Sequence, residues 1–227
     1  FRDVSFRVKE GEILGMYGLV GAGRTEIVET IFGIRKKKGG TVKICGKDAD
    51  IRNPKKAMEK GISLIPENRK TQGLALSQSC EDNMAVPTLK GMMKKGVFRP
   101  KMKRKLYDEY KEKLKIHAPN GKQLVGNLSG GNQQKIIIAK WLATSPRVLI
   151  LDEPTKGIDV MAKSEIYKLI SDIASRGVGI IVISSEMSEI IGLSDRVITI
   201  SNGKINGEFI GNEINEENII KKVALVQ

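Results

Sequence analysis

Leu128-Ser129-Gly130-Gly131-Asn132-Gln133-Gln134-Lys135, followed by Val148-Leu149-Ile150-Leu151-Asp152-Glu153-Pro154, decides how this chain is read. A Ser-Gly-Gly turn that opens a helix presents bare backbone N–H groups at the positive end of the helix dipole, which suits an anion. An apolar strand that ends in Asp-Glu presents a metal ligand beside a carboxylate able to serve as a base. Together the two stretches suggest one half of a device that sandwiches a nucleotide.

Composition sets the outer bounds. With 227 residues, 40% of them hydrophobic, the chain can bury a core as one domain or as a core plus a smaller lobe. Its two cysteines, Cys45 and Cys80, show neither metal-ligand spacing nor a disulfide framework; they read as ordinary thiols in a reducing compartment. No apolar run approaches the roughly 20 residues that cross a bilayer, and the start lacks a basic region followed by a signal-peptide core, so a membrane role is expected to be peripheral. Phe1 already falls inside a strand-like pattern, with Val4, Phe6 and Val8 on one face, and a fragment of a longer polypeptide is expected. The net charge is +13, and the densest basic run includes Lys90, Lys94, Lys95, Arg99, Lys101, Lys103, Arg104 and Lys105. That run reads as a solvated face, as a contact with a protein or membrane, or as a nucleic-acid surface. Phe98 is its one aromatic, which gives bases little to stack on.

Strand-like segments at residues 12–17, 62–65, 147–151, 179–184 and 196–200 alternate with helical patterns, as expected of a parallel sheet covered by helices. Asn53-Pro54 opens one helix and Gly61 closes it; Arg176-Gly177 ends an amphipathic stretch that starts at Val160. Asn202-Gly203 is a hairpin signal that adds antiparallel strands near the end, with room for more around residues 41–45 and Phe6. Residues 77–145 read as helices, with 102–114 and 131–143 the clearest, inserted between the early and late strands.

Residues 12–17 lead into Gly18-Leu19-Val20-Gly21-Ala22-Gly23-Arg24-Thr25 and then a helix with Ile27, Val28, Ile31 and Phe32 along its apolar side. This is the strand, glycine loop and helix order of a Walker A phosphate loop, where backbone N–H groups surround phosphates and Thr25 could ligate magnesium. Arg24 stands where the loop's lysine is expected, and its planar fork cannot occupy the compact place of an ammonium. Two readings stand: a site that binds nucleotide but turns over poorly, or a glycine turn kept for folding. Asp152 and Glu153 favour the first, since a strand-end Asp can hold magnesium through water while Glu153 can orient or activate the attacking water.

The order of these motifs, with the Leu-Ser-Gly-Gly signature a short helix before the Asp-Glu strand, resembles that of ATP-binding cassette (ABC) ATPases. Residues 155–159 look like that family's D-loop, with Asp159, and residues 183–186 hold the switch position. Residues 9–15 and 21–26, Pro66-Glu67-Asn68-Arg69-Lys70 with Gly73-Leu74, Leu128 to Lys135, residues 154–160 and Ser184-Ser185-Glu186-Met187 narrow the resemblance. They are similar to the second nucleotide-binding half of the tandem ATPase subunits of bacterial monosaccharide importers of the ribose and galactose type.

The resemblance implies an α/β phosphate-loop fold with a mainly parallel sheet, an antiparallel β portion and a helical subdomain. Residues 1–227 would form one nucleotide-binding domain, with 1–76 and 146–227 as core and 77–145 as the subdomain carrying the signature. Two cassettes close head to tail around ATP and Mg2+, each site joining one half's phosphate loop to the other half's signature. Leu128, Ser129, Gly130, Gly131, Asn132 and Gln133 would thus serve the partner half. In this chain's own site Arg24, Glu67 in place of the Q-loop glutamine and Ser185 in place of the switch histidine depart from the family pattern. Glu67 brings a negative charge where an amide is expected, and Ser185 has no imidazole to offer a γ-phosphate. The implied division of labour is a degenerate site of its own beside an intact signature.

The implied partners are the first half of the same subunit, transmembrane permease subunits and, indirectly, a solute-binding protein, at the cytoplasmic face of the bacterial plasma membrane. No nucleic acid is expected. Two other classes remain as alternatives: a nucleic-acid-associated ABC ATPase, which would use the +13 charge, and a small-molecule phosphotransferase, which would leave the signature without a role.

Overall fold

The computed structural model describes residues 1–94 and 97–224, so Lys95 of the basic run lies outside the described residues. Strand β1 (Ile13–Tyr17) leads through the glycine loop into α1 (Arg24–Phe32). A two-stranded ribbon of β2 (Lys43–Ile44) and β3 (Lys47–Asp48) precedes α2 (Pro54–Glu59) and β4 (Ile62–Ile65). Asn53 starts α2 by accepting from the Lys56 N–H at 3.0 Å, and Pro54 follows at the first helical position, where a missing N–H costs nothing. Next come α3 (Cys80–Ala85), the ribbon of β5 (Met93–Lys94) and β6 (Val97–Phe98), α4 (Pro100–Lys113) and α5 (Gly130–Leu142). The remainder is β7 (Val148–Asp152), α6 (Val160–Ser175), β8 (Gly179–Ile183), α7 (Met187–Leu193), β9 (Arg196–Ser201), β10 (Lys204–Ile210) and α8 (Glu216–Ala224).

Six strands form one sheet in the order β10-β9-β1-β8-β7-β4. β1 runs parallel to both β8 and β9, β7 runs parallel to β8, and β10 returns antiparallel to β9 through the Asn202-Gly203 turn. All five residues of β8 are buried, and Leu149, Ile150, Ile180 and Val182 have no exposed surface. That is why these strands read as continuous apolar runs: a parallel strand buried on both faces needs no polar alternation. The expected α/β architecture, a mainly parallel sheet with antiparallel strands and helices, is present.

The chain divides into two compact units. One contains Phe1–Leu64, Arg147–Pro154 and Ile170–Gln227; the other contains Ile65–Pro146 and Thr155–Leu169. In the first, Arg196 opens β9 and bonds Glu12 at 2.6 Å, Glu208 at 2.8 Å and the Arg7 carbonyl. In the second, α3 packs on α4 and α5, with Met84, Tyr107, Ile136 and Ile137 buried.

Two local expectations need correction. The alternation of Val4, Phe6 and Val8 is real in burial, since each is half-buried between exposed neighbours, but residues 1–10 form no strand. Single bonds, Arg2 N–H to the Gly203 carbonyl and Arg196 to the Arg7 carbonyl, hold this extended segment in place of a ladder. The span 77–145 is also not purely helical, because β5 and β6 pair antiparallel within it. Among the described residues no helix is long and apolar enough to cross a membrane.

Candidate functional site

In the first unit, residues 18–25 turn from β1 into α1. Gly18 is required by close approach: a Cβ there would lie 2.3 Å from the Ile200 carbonyl oxygen. Gly23 is required by its backbone, with φ at 100° at the N-cap of α1, a conformation in which a side chain is strained. No side chain caps α1, so its first-turn N–H groups remain available to an anion. The Ala22 N–H closes the loop on the Leu19 carbonyl at 3.0 Å, and the Gly203 N–H of the β9–β10 turn braces it through the Ala22 carbonyl at 2.9 Å. Leu19 and Val20 are exposed at the tip of the loop, and Gly21 holds φ at 82°.

The sheet brings three of the expected site residues, Asp152, Glu153 and Ser185, to this loop. Thr25 Oγ1 donates to Asp152 Oδ2 at 2.8 Å, so the two expected magnesium ligands are neighbours. They are oxygen donors only, the kind a hard divalent cation prefers. Among the described residues no group of three or more His, Cys, Asp or Glu could hold a metal, so protein ligands alone do not make a complete cage. Magnesium characteristically takes few protein ligands and completes its shell with water and phosphate oxygens, which the Thr25–Asp152 pair fits. Glu153 follows β7 with φ at 49°, in the left-handed region, and its N–H is fixed on the Ile183 carbonyl at 2.8 Å. Its carboxylate accepts from Ser185 Oγ at 3.2 Å and lies 3.7 Å from the Arg24 guanidinium. Arg24 also donates to the Ser184 carbonyl at 2.6 Å.

The second unit carries the other expected residues. Ser129 caps α5 by accepting from the Asn132 N–H, and Asn132 Nδ2 also donates to its hydroxyl at 3.0 Å. Gln133 is buried and donates to the Val125 and Leu128 carbonyls at 3.2 and 3.1 Å, which fixes the turn before the helix. Gly131 admits Ala162: a Cβ at that position would come within 2.7 Å of Ala162 Cβ. Asp159 caps α6 by accepting from the Ala162 N–H at 3.0 Å. Glu67 is exposed and forms an ion pair with Lys156 at 2.6 Å.

Arg69 is the residue whose role the sequence did not disclose. Its guanidinium donates to the carbonyls of Lys156 and Gly157, and its Nε to Gln133 Oε1 at 3.4 Å. Burial pulls its pKa below the ordinary arginine value. The motif containing it was visible; the carbonyls it holds, nearly ninety positions away, were not.

A glycine loop between a parallel strand and a helix, with Thr25 bonded to a strand-end aspartate, is the α/β fold of the phosphate-loop class. The chain belongs to the ABC transporter family, whose profile matches residues 1–156. It is 48% identical to the ribose import ATP-binding protein RbsA of Lactococcus lactis subsp. lactis over 221 residues, 97% of this chain and 45% of that protein. RbsA of Bacillus subtilis is 46% identical over 220 residues, again covering 97% of this chain and 45% of the relative. The chain thus spans about half the length of the curated relatives it matches. Two solved structures share the fold. MJ1267, an ATP-binding cassette of an ABC transporter in its ADP conformation, aligns with a TM-score of 0.83 at 21% identity, covering 98% of this chain and 90% of that one. MJ0796, a dimeric ATP-binding cassette in a post-hydrolysis state bound to ADP and Pi, aligns at 0.77 and 20% identity, covering 92% and 89%.

Proposed function

We propose that residues 1–227 form one nucleotide-binding domain, the second half of a tandem ATPase subunit that energises import of a monosaccharide. The observation that carries this reading is the Thr25–Asp152 contact at the end of a glycine loop, beside Glu153. Residues 18–25 bind the phosphates of ATP, Thr25 and Asp152 hold Mg2+, and Glu153 occupies the place of the general base. Magnesium, when bound, neutralises charge on the phosphates and templates the attacking geometry.

The domain's own site is degenerate. Arg24 takes the place of a compact ammonium, Ser185 has no imidazole, and Glu67 is engaged with Lys156. The signature, Leu128 to Gln133, serves the phosphate loop of the first half, and Asp159 stands in the D-loop between them. Capped by Ser129, α5 presents its N-terminal N–H groups to that partner's ATP. Similarity to ribose import proteins over 97% of this chain but 45% of theirs supports both the sugar-import assignment and the half-subunit reading. Further partners are the transmembrane permease subunits and, through them, a solute-binding protein, which puts the domain peripherally at the cytoplasmic membrane face. Residues 1–76 and 146–227 act as the nucleotide core and 77–145 as the signature-bearing subdomain.

The test is ATP turnover by this chain alone and after mixing with the companion first half. Turnover confined to the mixture and abolished by Ser129→Arg is the expected result. Robust turnover by the isolated chain would overturn the division of labour.

A further inference from the structure

Arg24 is the first residue of α1, where the helix dipole favours an anion and opposes a cation. Its guanidinium is taken up by protein partners. Nη1 donates to the Ser184 carbonyl at 2.6 Å, and Nη2 lies at ion-pair distance, 3.7 Å, from Glu153 Oε1. The second oxygen of Glu153 accepts from Ser185 at 3.2 Å. Glu153 is therefore gripped at both oxygens, and the Arg24 and Glu153 side chains are each only 9% exposed. The residues that depart from the family pattern at positions 24 and 185 meet on the same carboxylate.

A planar fork suits this double contact, because Nη1 serves the Ser184 carbonyl while Nη2 faces the Glu153 carboxylate. The pairing also satisfies a carboxylate that would otherwise be buried beside a lone hydroxyl, an arrangement with a high desolvation penalty.

We propose that Arg24 is locked: Ser184 and Glu153 hold its guanidinium and so compete with a nucleoside polyphosphate for it at this loop. By this account Arg24 is a positioning residue that works through Glu153, and loosening it frees positive charge for the phosphates. The inference rests on the reading of residues 18–25 as a nucleotide site.

Calorimetric titration of this chain with ADP and Mg2+ tests it, with ADP chosen because it supplies no γ-phosphate to hydrolyse. Arg24→Lys should bind ADP about tenfold more tightly, a difference of about 1.4 kcal/mol. Glu153→Gln, which keeps Arg24 but removes the ion pair, should also tighten binding several-fold. The double variant should bind no more tightly than Arg24→Lys, because both changes open one lock. The thermal midpoint without nucleotide should fall in both single variants; a merely structural role would lower that midpoint with no gain in affinity. Should Arg24→Lys fail to fold, Glu153→Gln carries the test. Variant affinities equal to or weaker than that of the unmodified chain, in the presence of measurable wild-type binding, would overturn the lock alone. Absence of ADP and ATP binding in every folded form would overturn the nucleotide site and the lock with it.

Discussion

A single atom decides position 18. A methyl group on Gly18 would meet the Ile200 carbonyl oxygen at 2.3 Å, and neither the strand backbone nor the loop can give way cheaply. Gly18→Ala is expected to lower the unfolding free energy by about 1–3 kcal/mol, read as a lower urea midpoint at unchanged slope. Thr25 is a second case. Thr25→Val keeps the shape and removes the hydroxyl that donates to Asp152 at 2.8 Å. Nucleotide affinity in the variant should become the same with magnesium as with a chelator, whereas the unmodified chain should bind more tightly with the metal. At this scale the sequence disclosed identities better than partners. Arg24, Thr25, Asp152 and Glu153 could be picked out because spacing places them at loop and strand ends. That Arg24 would close on a carbonyl 160 positions away depends on the order of strands across the sheet, which periodicity does not encode.

Among the elements, β9 and its neighbours are joined by charge as well as by the ladder. Burial pushes the Glu12 carboxyl up, but the Arg196 guanidinium and the Lys9 N–H outweigh it and hold the pKa below its ordinary 4.5. A carboxyl depressed in the folded state stabilises the protein above its unfolded value and loses that contribution as pH falls through the lower folded value. Stability should therefore decline as pH drops below about 4.5, and Glu12→Gln should flatten that part of the acid limb in a series of urea titrations. Arg196→Met should cost about 1–3 kcal/mol at neutral pH, since it leaves the half-buried Glu12 carboxylate with the Lys9 N–H alone. The parallel strands were legible because each is a short apolar run at the foot of a turn, and the Asn202-Gly203 hairpin because its turn chemistry is specific. The N-terminal segment was misread for an equally physical reason. Alternating burial requires one covered face, and a segment can have that without a neighbour to complete a ladder.

At the scale of the whole molecule, binding and turnover should separate. Saturating ATP with magnesium should raise the stability of this chain by about 2.7 kcal/mol when ligand exceeds Kd a hundredfold, visible as a higher thermal midpoint. Ser129→Arg should lower the baseline by about 1 kcal/mol through loss of the α5 cap, yet leave the nucleotide-induced increment intact while abolishing turnover in the mixture with the first half. The motif order carried the family, because a loop, a signature and an Asp-Glu strand in fixed sequence constrain one another. The compact units could not be traced from the sequence in the same way. Residues 65–76 and 155–169 are grouped with the helical segment by their packing, which a linear pattern of apolar residues does not record.

Arg69 holds the carbonyls of Lys156 and Gly157 with one guanidinium and reaches Gln133 with its Nε–H, while Glu67 grips Lys156 from the same short segment. Three stretches that are far apart along the chain are thereby stapled by a single five-donor plane. A displacement imposed on residues 67–69 should therefore reach 156–157 and the first turn of α5 through one side chain, beside the packing of residues 69–73 on that helix, so this corner of the second unit is built to act as a lever.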